Sequence, residues 1–311
     1  MTAETDVILT ARDMHRSFGG VRAVDVDHFE IERGSIVALI GPNGAGKTTF
    51  FNLLTGFEKA DGGTWTFEGH ELAGKHAYAI AQAGMVRTFQ SARVFPRLSV
   101  TDNVRLGAQH QRGERLWRAP FARAWRSQDD QLAVRAAALV EWVGLGEKAG
   151  DFAGTLSGGQ RKLLELARSV MSAPTLLMLD EPMAGVNPAL RQALLDKISE
   201  LPGEGITVLF VEHDMDVVSA VSDRVVCMAE GTIIASGTAS QVAADERVIE
   251  AYLGGSSVDL RDHDAPDAGP SVAPHEDVPV HDETADPATG QPADGDRDLH
   301  ADDEPDGGDP R

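Results

Sequence analysis

Apolar and polar positions alternate over residues 7–9 and again over 24–31, which predicts two strands that each bury one face. Glu32-Arg33-Gly34 then reads as a turn. Residues 35–40 are apolar without alternation, too few for a helix, and bounded by glycine on both sides. That pattern predicts a strand buried on both faces, as in a parallel sheet. Residues 46–55 follow with Phe50, Phe51, Leu53 and Leu54 at helical spacing. Residues 175–179 and 206–211 repeat the buried-strand pattern. Residues 225–228 and 232–235 predict a terminal hairpin around Glu230-Gly231, and a last helical piece ends near Leu253. Between these, 100–143 is mostly helical in pattern, and 155–172 reads as a loop feeding a helix. Strand–loop–helix alternation of this kind predicts an α/β fold with a parallel sheet and helices on its faces. The helical stretch in the middle reads as an inserted subdomain.

The composition divides the chain. Of the formal net charge of −21, the last 56 residues, 256–311, carry −14 (17 acidic, 3 basic), so the rest carries −7. Past Gly255 the chain is rich in Asp, Pro, Gly, Ala and His, and large apolar side chains nearly vanish. Such a segment cannot offset its ordering entropy by burial, so 255–311 is expected to be an acidic disordered tail. The acidic balance argues against a nucleic-acid partner, because neutralising phosphates takes clustered Lys and Arg. The single cysteine, Cys227, excludes an internal disulfide and fits a reducing compartment. No apolar run approaches the ~20 residues that span a bilayer. Residues 1–6 show no signal-peptide pattern. The expectation is a cytoplasmic protein whose membrane attachment, if any, comes through a partner.

Two strand ends carry candidate chemistry. Gly41-Pro42-Asn43-Gly44-Ala45-Gly46-Lys47-Thr48 has the spacing G-x-x-x-x-G-K-[ST] of a nucleotide phosphate loop, and it lies between a buried strand and a helix, where that loop must lie. The glycines let successive backbone N–H groups turn toward phosphate oxygens. Lys47 is expected to reach the β- and γ-phosphates, and Thr48 to offer its hydroxyl to Mg²⁺. The helix adds its positive end. The strand at 175–179 runs into Asp180-Glu181. Asp180 is suited to the Mg²⁺ shell, and Glu181, one residue on, to polarising an attacking water. The bland alternative is a strand ending in an acidic surface turn. His213, in Glu212-His213-Asp214 just beyond the third buried strand, is one of ten histidines, and its place alone singles it out. From that place it could hydrogen-bond a γ-phosphate or orient water; a structural or solvated histidine is the alternative.

Leu156-Ser157-Gly158-Gly159-Gln160 is by itself a plausible helix start, with Ser157 as N-cap. Placed between a phosphate loop and an Asp-Glu strand, it resembles the signature of the ABC ATPases, and the resemblance covers about residues 7–254. It implies a P-loop NTPase core with an antiparallel N-terminal sheet and a helical subdomain inserted at about 93–163. It also implies ATP and Mg²⁺ as ligands and two subunits stacked head to tail around two ATP molecules. The implied ATP-binding positions are Phe18, stacking on adenine, Gly41 to Thr48 with Thr49, and Gln90, which would contact Mg²⁺ and water. Ser157, Gly158, Gly159 and Gln160 would complete the partner's site. His213 matches the switch histidine. At Asn187, in Ala184-Gly185-Val186-Asn187-Pro188, many members carry aspartate, which puts any charge-based role of that loop in question.

Val86-Arg87-Thr88-Phe89-Gln90, Ala184 to Pro188, Glu212-His213-Asp214-Met215 and Ala251-Tyr252-Leu253-Gly254 resemble one ATPase of the branched-chain amino-acid importers, a pattern shared with urea and short-amide importers. The implied partners are two integral-membrane permeases, a second ATPase subunit (identical or different) and, indirectly, an external solute-binding protein. The implied location is the inner face of the cell membrane. A soluble ABC ATPase acting on nucleic acid or ribosomes is a rival reading. Such proteins usually carry two ATPase halves or a long coiled coil, and this chain shows one phosphate loop and no heptad run. The ATPase of a lipid exporter is a second rival. Five arginines with Trp117 and Trp125 between Arg112 and Arg126 read as a solvated helical insert or a permease- or lipid-facing patch. The tail histidines show no metal-ligand spacing.

Overall fold

The computed structural model describes residues 6–88, 94–109 and 126–254. The chain opens with two long antiparallel strands, β1 (Val7–Phe18) and β2 (Val21–Glu32), and then enters β3 (Ile36–Ile40) and α1 (Lys47–Leu54). β4 (Gly62–Phe67) and β5 (His70–Glu71) return to the first pair, giving an antiparallel sheet in the order β2-β1-β4-β5. A short helix, α2 (Ala77–Gln82), leads to β6 (Met85–Arg87). Helices α3 (Val100–Arg105), α4 (Arg126–Trp142) and α5 (Gly158–Met171) separate β6 from β7 (Leu176–Asp180). The remainder alternates: α6 (Pro188–Glu200), β8 (Thr207–Val211), α7 (Met215–Val221), β9 (Arg224–Ala229), β10 (Thr232–Gly237), α8 (Ala239–Ala243) and α9 (Glu246–Gly254).

The larger sheet has six strands in the order β10-β9-β3-β8-β7-β6, parallel except for the terminal β9–β10 hairpin. Its central strands β3, β7 and β8 are buried at every position. Their alternate residues feed two separate cores. Ala38, Leu179 and Phe210 face the helical side with α3, α5 and α6, while Leu39, Met178 and Leu209 face the antiparallel sheet and α1. This is why these strands read as unbroken apolar runs: both faces are covered, so no polar alternation survives. Register then aligns the strand ends. Leu39 pairs with Val211, and Val211 pairs with Asp180, so the chain leaves β3, β8 and β7 along one edge of the sheet.

The sequence expectation for the first strand stopped at residue 9, whereas β1 continues to Phe18. The extension is carried by pairing, with Arg12 opposite His28 and His15 opposite Asp25, and it includes a register shift between Arg16 and Ser17 that breaks the alternation. β4, β5 and β6 were not anticipated either. β4 opens on two glycines, β5 spans two residues and β6 three, so each is recognisable only by its partner strand. The arginine-rich segment before Arg126 and the acidic tail lie outside the described residues, as does Gln90. Among the described residues, no helix is long and apolar enough to cross a membrane.

Candidate active site

The loop from Gly41 to Gly46 joins β3 to α1 at the aligned strand ends. Gly46 caps α1 at φ 95°, a left-handed conformation, and a Cβ there would collide with the Ala23 carbonyl oxygen. The loop is braced from outside by the β9–β10 turn. Gly231 N donates to Ala45 O at 3.1 Å, and Asp25 N donates to Gly231 O at 2.8 Å. Ala45 is buried, Asn43, Gly44 and Thr48 are exposed, and Pro42 and Thr49 are half-buried. The Lys47 ammonium donates to Gly41 O at 2.7 Å and Pro42 O at 2.9 Å, so it lies folded along its own loop. Burial lowers the Lys47 pKa, and the negative charge of Glu181 opposes that shift. Phe18, at the end of β1, is roughly half exposed, and the Arg16 guanidinium lies over its ring at 4.7 Å.

Asp180 closes β7 and is nearly buried. Its Oδ2 accepts from Arg87 Nη2 at 2.8 Å, and Arg87 Nη1 donates to Asn52 Oδ1 at 2.6 Å. The guanidinium also packs 5.5 Å from the centre of the Phe51 ring. One arginine at the end of β6 thus ties the Asp180 carboxylate to α1 and to the segment that leads through Thr88 toward Gln90. Glu181 follows in a left-handed conformation, φ 46°, unusual for a residue with a side chain. Its N–H donates to Val211 O at 3.1 Å, and its carbonyl accepts from Ala184 N at 3.1 Å.

Glu212, one residue past β8, is 2% exposed. Its Oε1 accepts from Met183 N at 2.9 Å and its Oε2 from His213 N at 3.3 Å. His213 itself is largely exposed, with Nδ1 3.8 Å from Glu212 Oε2. Burial raises the Glu212 pKa, and the two backbone N–H donors oppose that rise. Asp214 caps α7 and pairs with Arg191 of α6 at 2.8 Å.

Ser157 and Gln160 form a capping box that opens α5: Gln160 N donates to Ser157 Oγ at 3.3 Å, and Ser157 N to Gln160 Oε1 at 3.0 Å. Ser157 and Gly158 are exposed, and Gly159 is buried. A Cβ on Gly159 would come within 2.7 Å of Leu190 Cδ1, so the first turn of α5 rests directly on α6. Asn187 caps that same helix, its Oδ1 accepting from Leu190 N at 2.9 Å. Asparagine and aspartate cap equally well, so the missing charge leaves this structural role intact.

The structure therefore brings Lys47, Asp180, Glu181 and His213 to one edge of the sheet, with the segments that hold them bonded to one another. Ser157 to Gln160 sit on the helical side, at the start of α5. Sequence reasoning missed Arg87, Asn52 and Glu212. Arg87 was visible as a charged residue ending an apolar piece, and Glu212 as a charge at the end of a buried strand.

A six-stranded, mostly parallel sheet with a phosphate loop, an Asp-Glu strand end and a flanking antiparallel sheet defines an ATP-hydrolysing cassette. Residues 24–184 match the family described as ABC transporter, and the chain belongs to that family. Residues 232–257 match the family described as branched-chain amino acid ATP-binding cassette transporter. The chain is 41% identical over 250 residues to the high-affinity branched-chain amino acid transport ATP-binding protein BraF of Pseudomonas aeruginosa, covering 79% of this chain and 98% of that protein. It is 42% identical over 253 residues to the corresponding LivG protein of Escherichia coli, with the same coverage. Among solved structures, a nucleotide-free ATP-binding cassette from an ABC transporter matches with a TM-score of 0.69 at 34% identity, covering 79% of this chain and 98% of that one. An ATP-binding cassette of an ABC transporter in its ADP conformation matches with a TM-score of 0.70 at 34% identity, covering 80% of this chain and 100% of that one.

Proposed function

We propose that this chain powers an importer of branched-chain amino acids, or of a related small polar solute such as urea or a short amide, by hydrolysing ATP on behalf of separate permease subunits. The observation that carries the cargo class is the match of residues 232–257 to the branched-chain family, because that segment lies outside the general ATPase motifs. The ATPase unit is residues 1–254, with the helices between β6 and β7 as its inserted subdomain, and 255–311 a separate acidic tail. The chain sits on the inner face of the membrane through its permeases.

In this reading the backbone N–H groups of Gly41 to Thr48 and the Lys47 ammonium hold the phosphates. Lys47 exchanges its bonds to Gly41 O and Pro42 O for phosphate oxygens. Phe18 supports the adenine, and Thr49 and Gln90 line the nucleotide. The hard oxygen donors Thr48 and Asp180 suit Mg²⁺, and with Gln90 they would hold it; when bound it neutralises charge on the β- and γ-phosphates. Glu181 orients the attacking water and takes its proton, and His213 donates toward the γ-phosphate. Ser157, Gly158, Gly159 and Gln160 of a second ATPase subunit close the site from outside, using the exposed start of α5 as an anion site. Closure and reopening of that dimer would turn the helical subdomains and the permeases between two orientations.

The test is to tag the chain, extract native membranes in mild detergent and identify what copurifies. Two permeases and a second ATPase, with an associated binding protein that takes up a branched-chain amino acid, would support the proposal. Recovery without any integral membrane protein would count against it.

A further inference from the structure

Among the described residues, Glu212 is the one buried carboxylate at this edge of the sheet to which hydrolysis, as described above, gives no task. It is 2% exposed and follows β8 directly, beside the end of β7 where Asp180 leads into Glu181. A carboxylate is not retained at such depth without compensation, because desolvation penalises its charged form. Its compensation here is specific. Oε1 accepts from the backbone of Met183, two residues past Glu181, and Oε2 from the backbone of His213. One side chain is therefore bonded to both of the turns that hold the chemistry.

The Glu181 turn needs such support. Its φ of 46° is strained for a residue with a side chain, and conformations of that kind persist only where neighbours over-determine them. Three bonds do so here: Glu181 N to Val211 O, Ala184 N to Glu181 O, and Met183 N to Glu212 Oε1. The third comes from a side chain, and the same side chain reaches the neighbouring histidine. The Arg191–Asp214 ion pair joins the same two segments further out.

We propose that Glu212 is a positioning residue for hydrolysis: by binding the Met183 and His213 backbones at once, it holds the strained Glu181 turn and the His213 turn in a single arrangement. This rests on the reading of Glu181 as the base. Glu212 exchanges no proton with substrate and touches no phosphate. It fixes where the Glu181 carboxylate points, and it makes the loop 184–187 and His213 move together.

The test uses the full chain and compares Glu212→Ala, Glu212→Gln and Glu181→Gln. An amide oxygen still accepts from Met183 N–H, so Glu212→Gln is the conservative variant. Misplacing a catalytic group by about 1 Å costs about 100-fold in rate, so kcat for Glu212→Ala should fall by about that factor while KM for ATP stays within about twofold. Glu212→Gln should recover at least about a tenth of the normal kcat. Amide hydrogen exchange at Met183 should speed up in Glu212→Ala and stay slow in Glu212→Gln. In a Glu181→Gln background, adding Glu212→Ala should reduce the residual rate no further, since both changes act through one carboxylate. Normal kcat in a folded Glu212→Ala protein, with Glu181→Gln inactive, would overturn the positioning role alone. So would equal losses in kcat and affinity for Glu212→Gln. Full activity in Glu181→Gln would instead overturn the assignment of the base, and this role with it.

Discussion

Arg87 and Asp180 form a buried ion pair at 2.8 Å, with each side chain about one-tenth exposed. Arg87 ends β6 opposite Met178 of β7, and its side chain reaches forward along the neighbouring parallel strand to Asp180, two residues on. The second arm of Arg87 reaches Asn52 on the helix that follows the phosphate loop. The carboxylate expected to serve the cation is thus positioned by a residue three places before Gln90.

Removing one partner of a buried pair leaves the other charge uncompensated, at a cost of about 3–5 kcal/mol. Arg87→Ala should therefore lower stability by about 3 kcal/mol, read from urea unfolding of the purified chain. Arg87→Lys keeps the charge but cannot span Asn52 and Asp180 together, and should fall between the two. Stability of Arg87→Ala equal to the parent would show that the pair contributes little.

Lys47→Ala should abolish productive ATP binding, measured with a fluorescent nucleotide, because the loop loses its only positioned ammonium. Glu181→Gln should behave differently. It should bind ATP normally and slow hydrolysis by about 100-fold or more, accumulating an ATP-bound dimer visible by gel filtration. Hydrolysis by Glu181→Gln at the normal rate would refute the base assignment.

Asn187 caps α6 through Leu190 N, and caps of this type contribute about 1 kcal/mol. Asn187→Ala should lose about that much in thermal unfolding, whereas Asn187→Asp should stay within about 0.5 kcal/mol of the parent. A large loss in Asn187→Asp would mean that the loop rejects a negative charge at this position.

Gly159 touches Leu190 across the α5–α6 contact. Gly159→Val should destabilise the isolated chain by about 1–3 kcal/mol through overpacking. Because this is read by denaturation without nucleotide, it separates the packing role of Gly159 from any contact with ATP. An unchanged unfolding midpoint would show that α6 yields freely.

The sequence by itself determined the features that depend on neighbours along the chain. The phosphate loop is a backbone geometry that needs glycines and a lysine at set intervals, and it appears where the motif places it. The buried strands were legible because burial on both faces removes every polar residue from them. Ser157 declared itself as a cap because capping is local. Tertiary structure alone decided the rest. The length of β1, the existence of β4 to β6, the Arg87–Asn52–Asp180 link and the hold of Glu212 on Met183 join residues that the chain keeps far apart. A single polar residue in a sequence carries no mark of its partner, and only the register of parallel strands, which aligns Asp180 with Val211, brings those groups within hydrogen-bonding distance.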